Sequence, residues 1–225
     1  MFVQDEFNEF VVANEVIGFF EKPVVLNSGR LSHWYVNWRT VMEDAYLADC
    51  LMKFVVNFVW ERMPDTKTIY GVPEGATKLA ILAQAEWARR QTDYGAGRYS
   101  LAMGRGRAKE HGEPKDRFFL GVPKGETVVL EDVTTTGGSL IKTVNSLALA
   151  QVKIIAAIGL TNREELNNDG RSVELALADA HVNYFAMSRA TELLPIVFAR
   201  KRPPGHIKAE IAGYFERHGA KKLVL

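Results

Sequence analysis

Two spacings of apolar residues run along the chain, and together they predict its elements. Val3, Phe7, Phe10, Ala13, Ile17 and Phe20 recur at near-helical intervals. They predict an amphipathic helix or helix pair from Phe2 to Phe20, stopped by Pro23. Val24 to Leu26 and Trp34 to Trp38 read as strands joined by the turn Asn27-Ser28-Gly29-Arg30. This hairpin precedes the main pattern, so it is expected to form a cap. Glu43 to Met63 reads as a long helix ended by Pro64, Thr68 to Pro73 as a strand entering a loop, and Thr77 to Arg90 as a helix. Arg98 to Met103 is a strand candidate. Phe118 to Val122 and Thr127 to Leu130 read as paired strands around a Pro-Lys-Gly turn. Helix Leu140 to Ala150, strand Val152 to Leu160, short helix Ser172 to Ala180 and strand Val182 to Met187 follow. Thr191 to Phe198 and Ile207 to Phe215 are predicted helices on either side of Pro203-Pro204-Gly205. Strands alternating with helices predict an α/β fold, a mostly parallel central sheet flanked by helices. Ligands of such sheets lie at the C-terminal ends of the strands.

Composition narrows the choice of partners. The 225 residues suit a single domain, and 47% hydrophobic with 24% charged residues is globular rather than disordered composition. A formal net charge of +1 gives no global field to recruit nucleic acid or a membrane surface, so any anion site must be built locally. The single cysteine, Cys50, excludes an internal disulfide and a multi-cysteine metal site. No apolar run is long enough for a membrane span. The acidic start, Met1 to Glu9, lacks the basic residues of a signal peptide, and a cytoplasmic protein is expected.

One stretch concentrates the candidate chemistry. Thr127-Val128-Val129-Leu130 reads as a strand buried on both faces, and Glu131 and Asp132 follow where that strand should end. The small residues Thr134, Thr135, Thr136, Gly137, Gly138 and Ser139 then lead into a helix. A glycine-rich loop at a helix N-terminus offers backbone N–H groups to a phosphate. Neighbouring carboxylates suit a diol or a hard cation. A second segment, Gly104 to Arg117, cannot form a core. It sets Arg105, Arg107, Lys109, His111, Lys115 and Arg117 among glycines and a proline, and a polar loop of that length is usually functional or disordered. Arg163 lies just past the strand ending near Leu160, where a ligand contact or a surface ion pair with Glu164 or Glu165 is open to it.

The Thr127 to Ser139 stretch resembles the phosphoribosyl pyrophosphate (PRPP) motif of type I phosphoribosyltransferases. Four further segments resemble, in order, those of orotate phosphoribosyltransferases. They are Ser28-Gly29-Arg30-Leu31-Ser32-His33-Trp34-Tyr35-Val36-Asn37, Gly71-Val72-Pro73-Glu74-Gly75, the loop with Arg105, Lys109, His111 and Gly112, and Asn162-Arg163-Glu164. The matches run from Ser28 to about Glu165. Asn27, Gly75 and Gly106 stand where lysines are usual in that family.

The resemblance implies a type I phosphoribosyltransferase fold over residues 1–225, with 1–40 contributing a hood and 104–117 a mobile catalytic loop. It implies transfer of the 5-phosphoribosyl group from PRPP to orotate, with Mg2+ as cofactor. Glu131 and Asp132 would face the ribose hydroxyls, directly or through the metal. Thr134 to Ser139 would hold the 5-phosphate, Arg163 the orotate, and Arg105 phosphate oxygens. Lys109 and His111 would be catalytic at the leaving pyrophosphate, with Asp132. A homodimer with shared active sites is implied too, with no nucleic-acid or membrane partner. The lysine departures leave two other readings open: a phosphoribosyltransferase for a different base, and a non-catalytic PRPP- or nucleotide-binding protein on the same fold.

Overall fold

The structure, a computed structural model, describes residues 1–105, 110–111 and 119–225. Its elements in chain order are helix α1 (Gln4–Ala13), strands β1 (Ile17–Val25) and β2 (Leu31–Val36), helices α2 (Arg39–Glu43) and α3 (Ala45–Arg62), strand β3 (Thr68–Gly71) and helix α4 (Thr77–Arg89). Strands β4 (Met103–Gly104), β5 (Phe119–Leu120) and β6 (Thr127–Thr134) follow, then helix α5 (Gly138–Leu149), strand β7 (Ile154–Asn162) and helix α6 (Val173–Ala178). Strand β8 (Asn183–Arg189) and helices α7 (Ala190–Lys201) and α8 (Gly205–His218) complete the chain.

Among the described residues the main sheet has the order β3-β6-β7-β8, and every pairing in it is parallel. Side chains alternate between the faces of a strand, and here both faces are buried. Ile69, Val128, Leu130, Ile158 and Leu160 join one apolar cluster with α1, α3, α4, α7 and α8. Tyr70, Val129 and Ala157 join another with α5 and α6. This is the predicted sheet flanked by helices. The β1–β2 hairpin, expected to form a cap, is a separate two-stranded sheet.

Three expectations are corrected. First, the N-terminal helix ends at Ala13 and not near Phe20. Asn14 Nδ2 donates to the Phe10 carbonyl at 2.8 Å, and Glu15 turns the chain through a left-handed conformation (φ 52°). Ile17 and Phe20 then belong to β1, because their spacing fits either period once the turn intervenes. Pro23, expected to stop a helix, sits inside β1 where its register with β2 shifts between Phe19 and Val24. A proline has no N–H for the ladder and is tolerated at such irregularities. Second, the predicted strand Phe118 to Val122 does not pair with Thr127 to Leu130; its Phe118 lies outside the described residues, and Phe119–Leu120 turns elsewhere. β5 pairs antiparallel with β4, and the predicted strand from Arg98 shrinks to Met103–Gly104. β6 has both edges occupied by β3 and β7, so no edge remains for a hairpin partner. Third, β6 does not end before its acidic pair. It continues to Thr134, with Glu131 opposite Gly159 and Thr134 opposite Asn162.

The helix boundaries follow local chemistry. Asp44 accepts from the Leu47 N–H at 2.8 Å and caps α3. Gly137 precedes α5 in a left-handed conformation (φ 78°), and a Cβ there would lie 2.6 Å from Val173 Cγ2. Strain and overlap therefore both demand glycine. Gly137→Ala is expected to lower the unfolding free energy by about 1–3 kcal/mol, measured by urea denaturation. An unchanged midpoint and slope would show that α6 yields freely.

Candidate active site

Polar residues gather where β3, β6 and β7 end. A cavity of about 370 Å3 is walled by the hairpin through Asn27 and Tyr35, by Arg39, by the Pro73-Glu74-Gly75 loop, and by Glu131, Asp132 and Arg163. A second hollow of about 270 Å3 shares Asn27, Glu131, Thr135 and Ser139 with it, and adds Thr136, Gly137, Gly138 and Lys142. A third, of about 290 Å3, shares Glu74 and Ser139 with the first and is lined by Arg105, Lys142 and Thr143.

The carboxylates are in an unusual state because the strand carries them inward. Glu131 is only 4% exposed, and burial, with the negative Asp132 adding to it, pushes its acid up to about 8. The Thr134 hydroxyl donates to Glu131 Oε2 at 2.7 Å, which opposes that shift. Asp132 is also raised by burial, against backbone N–H groups and the Arg39 charge. Two desolvated carboxylates side by side form no ion pair among the described residues and feel only a distant pull from Arg39 on Asp132, a state suited to a hard cation or to hydroxyl donors. The Pro73-Glu74-Gly75 loop lies so close to them that a Cβ at Gly75 would collide with the Asp132 carboxylate.

Arg163 is not a solvated cation. It is 1% exposed, donates from Nε to Glu165 at 2.7 Å, and lies over the Trp34 ring with its guanidinium carbon 3.7 Å from the ring centroid. Buried guanidinium of this kind can fork onto a planar anion.

The structure thus brings Glu131, Asp132, Thr135, Ser139 and Arg163 around one cavity, with Thr136, Gly137 and Gly138 in the hollow beside it. Thr134 stands apart: it is buried and its hydroxyl is spent on Glu131. Arg105 lines the third hollow. His111 is exposed and lines none of these three cavities. Lys109 lies outside the described residues, as do Gly106 and Gly112. Sequence reasoning missed Arg39. It occupies the first turn of α2, where a cation opposes the helix dipole. That unfavourable placement was the available signal, but α2 itself was not predicted. Lys78, the nearest lysine to Gly75, donates instead to the Met42 carbonyl at 2.9 Å.

The comparisons with known proteins point to one family. The chain is 31% identical over 183 residues to an orotate phosphoribosyltransferase of Rhodopseudomonas palustris, covering 77% of this chain and 88% of that one.

The chain belongs to the orotate phosphoribosyltransferase family.

A more distant relative of the same name, from Methanosphaera stadtmanae, is 28% identical over 152 residues, 68% of this chain and 78% of that one. The orotate phosphoribosyltransferase of Francisella tularensis superposes with a TM-score of 0.66 over 95% of this chain and 99% of its own, at 17% identity. Leishmania donovani UMP synthase superposes with a TM-score of 0.70 over 94% of this chain at 16% identity, and the chain spans 42% of that longer protein. These likenesses show the type I phosphoribosyltransferase fold. No family model matches the chain.

The buried acid has a measurable consequence. Glu131 titrates near 4.5 when unfolded and at about 8 when folded, so the fold favours its neutral form. Its contribution is present in full below pH 4.5 and is lost as pH rises through about 8. In metal-free buffer, the Tm of Glu131→Gln is expected to fall less than that of the parent between about pH 5 and pH 9. Parallel Tm profiles would show that the acid is already solvated.

Proposed function

We propose that the protein transfers the 5-phosphoribosyl group of PRPP to orotate, giving orotidine 5′-monophosphate and pyrophosphate. One observation carries this reading: a phosphate-type helix N-terminus, two desolvated carboxylates and a buried guanidinium line one connected tract. PRPP presents a phosphate and a ribose diol, and orotate presents a planar carboxylate, so each group has a partner of matching chemistry.

The Thr135 to Ser139 loop binds the 5-phosphate through backbone N–H groups at the start of α5. Asp132 and Glu131 accept from the ribose hydroxyls and fix the sugar. Arg163 orients the base by its carboxylate, and Tyr35 walls the cavity beside it. As the bond from C1 to the pyrophosphate oxygen breaks, a bond to the orotate ring nitrogen forms, and positive charge develops at C1. Holding the reacting atoms in line and shielding them from water is most of the protein's task. Arg39 faces Asp132 from the cavity wall and supplies a cation on the side where Gly75 has no side chain. Lys109 and His111 act on the departing pyrophosphate by charge and by proton donation, a role resting on the sequence resemblance.

The residues also fit Mg2+. That ion keeps several waters and is held by one or two carboxylates plus substrate phosphates. Asp132 and Glu131 are carboxylates in need of countercharge, and would hold it directly or through water. The metal would offset the negative charge of the pyrophosphate.

A cytoplasmic homodimer with shared active sites belongs to the same proposal. No described helix is long and apolar enough to cross a membrane. Leu101 and Leu120, on either side in sequence of the segment that contains Lys109, are 54% and 44% exposed and would be covered by a second copy.

The test is turnover of PRPP with orotate, with and without Mg2+, beside a panel of purine bases. Orotidine 5′-monophosphate formed only with the metal is expected; product from a purine and none from orotate would overturn the reading. Asp132→Asn is expected to reduce kcat/KM for PRPP by about tenfold or more, since it removes a charged hydrogen-bond acceptor for the sugar. Unchanged steady-state constants would remove Asp132 from the ribose site.

A further inference from the structure

Behind the cavity wall the Glu165 carboxylate is the hub of a buried polar knot. Its Oε1 accepts Arg163 Nε at 2.7 Å, and its Oε2 accepts Arg30 Nη1 at 3.1 Å and the Tyr214 hydroxyl at 2.7 Å. The Glu165 side chain is 0% exposed, that of Arg163 1% and that of Arg30 15%. Arg163 is fixed from its other side too. Nη2 donates to Ser32 Oγ at 3.1 Å, Nη1 to the Trp34 carbonyl at 3.3 Å, and the flat of the guanidinium rests on Trp34.

The partners come from distant parts of the chain. Arg30 is in the hairpin turn, Ser32 and Trp34 are in β2, and Tyr214 is in α8. The end of α8 is fastened to the same segment by main-chain bonds, Leu166 N–H to His218 at 2.8 Å and Ala220 N–H to Glu164 at 2.7 Å.

Charge explains what the knot lacks. One carboxylate serves two guanidiniums, so a surplus positive charge is left largely out of water, which is costly without a counter-ion. Arg163 also interacts with the Tyr214 hydroxyl, but its guanidinium carries five N–H donors, more than these four partners take, and it lines the cavity. An anionic base placed there completes the set. Tyr214 remains a proton donor throughout the neutral range, because burial and the Glu165 charge both raise its phenol. Without that donor, Arg30, at the wetter edge of the knot, is the partner left to Glu165 Oε2 among the described residues, and the carboxylate can swing away from Arg163.

We propose that Glu165, anchored by Tyr214, is a positioning residue that sets the plane of Arg163 for an anionic base, so that the C-terminal helix governs base affinity. This rests on the reading of the site given above. Once aligned, Arg163 meets the ligand without reorganising, whereas a loosened guanidinium must be ordered on each encounter. Among the described residues the side-chain hydrogen bonds of the knot go to Arg30, Ser32, Trp34, Arg163 and Tyr214, and the one link from Arg163 to β6 is main-chain, its N–H to the Thr134 carbonyl at 2.8 Å, so PRPP recognition is left intact.

The test uses the full chain with Tyr214→Phe and, separately, Glu165→Gln, each first shown to be folded by its Tm. Tyr214→Phe is expected to raise KM for orotate about tenfold while KM for PRPP stays within about twofold, the size expected for one hydrogen bond to a charged group. A 15N spectrum supplies a readout independent of turnover. The buried Arg163 Nε–H is expected to give a slowly exchanging signal in the parent that quickens in both variants. If both KM values rise together, or neither moves, or the Nε–H exchange is unchanged, the positioning role is overturned. A parent chain that makes no orotidine 5′-monophosphate but whose Nε–H signal quickens in the variants would sink the functional reading and leave the positioning of Arg163 standing.

Discussion

Strand β6 has no free edge and no free face, and that confinement organises the molecule. β3 and β7 take its hydrogen bonds on either side, and two apolar clusters cover its faces. Because the ladder runs on to Thr134, the acidic pair stays in register with its neighbours instead of fanning out into water. Desolvation of Glu131 and Asp132 is thus imposed by main-chain pairing. The strand also aims the next residues at the start of α5, so the phosphate loop sits beside the acids because it is joined to them. Confinement of one strand produces the geometry and the electrostatics together.

The hairpin cap supplies what the sheet cannot. A sheet offers an open end, and a cationic sugar would be hydrolysed there. Asn27, Tyr35 and Arg39 wall the cavity from the hairpin side. Their placement depends on a buried polar chain at the hairpin's root. Trp38 Nε1 donates to Thr161 Oγ1 at 3.2 Å, Thr161 lies 3.0 Å from Ser188 Oγ, and Ser188 donates to the Leu160 carbonyl at 2.8 Å. Phe7 stacks on Trp38 at 5.9 Å, which ties α1 to the same anchor. The cap is therefore locked to β7 and β8, the strands that deliver Arg163 and its neighbours.

Legibility in the sequence followed from how local each signal was. The strand, acid pair, glycine loop and helix were readable because their chemistry is contiguous, and the end of α3 because Pro64 sits just beyond it. The α1–β1 junction was not, since Ile17 and Phe20 satisfy both periods and the deciding event is a left-handed turn at Glu15. The partner of β5 was hidden for a different reason: pairing is a long-range choice, settled by which edges are already occupied. In the site, Arg163 was singled out from its triplet, but its buried state was not, because its partners Trp34 and Glu165 meet it only through the fold. Arg39 belonged to a helix of one turn that leaves no periodic trace.

The close approach of Gly75 to Asp132 also decides which side chains the loop can carry. A Cβ at position 75 would meet the Asp132 carboxylate before it reached the cavity. Any larger residue there, charged or not, would have to displace that acid, so the loop and the acid pair behave as one unit whose spacing is set by the absence of a side chain.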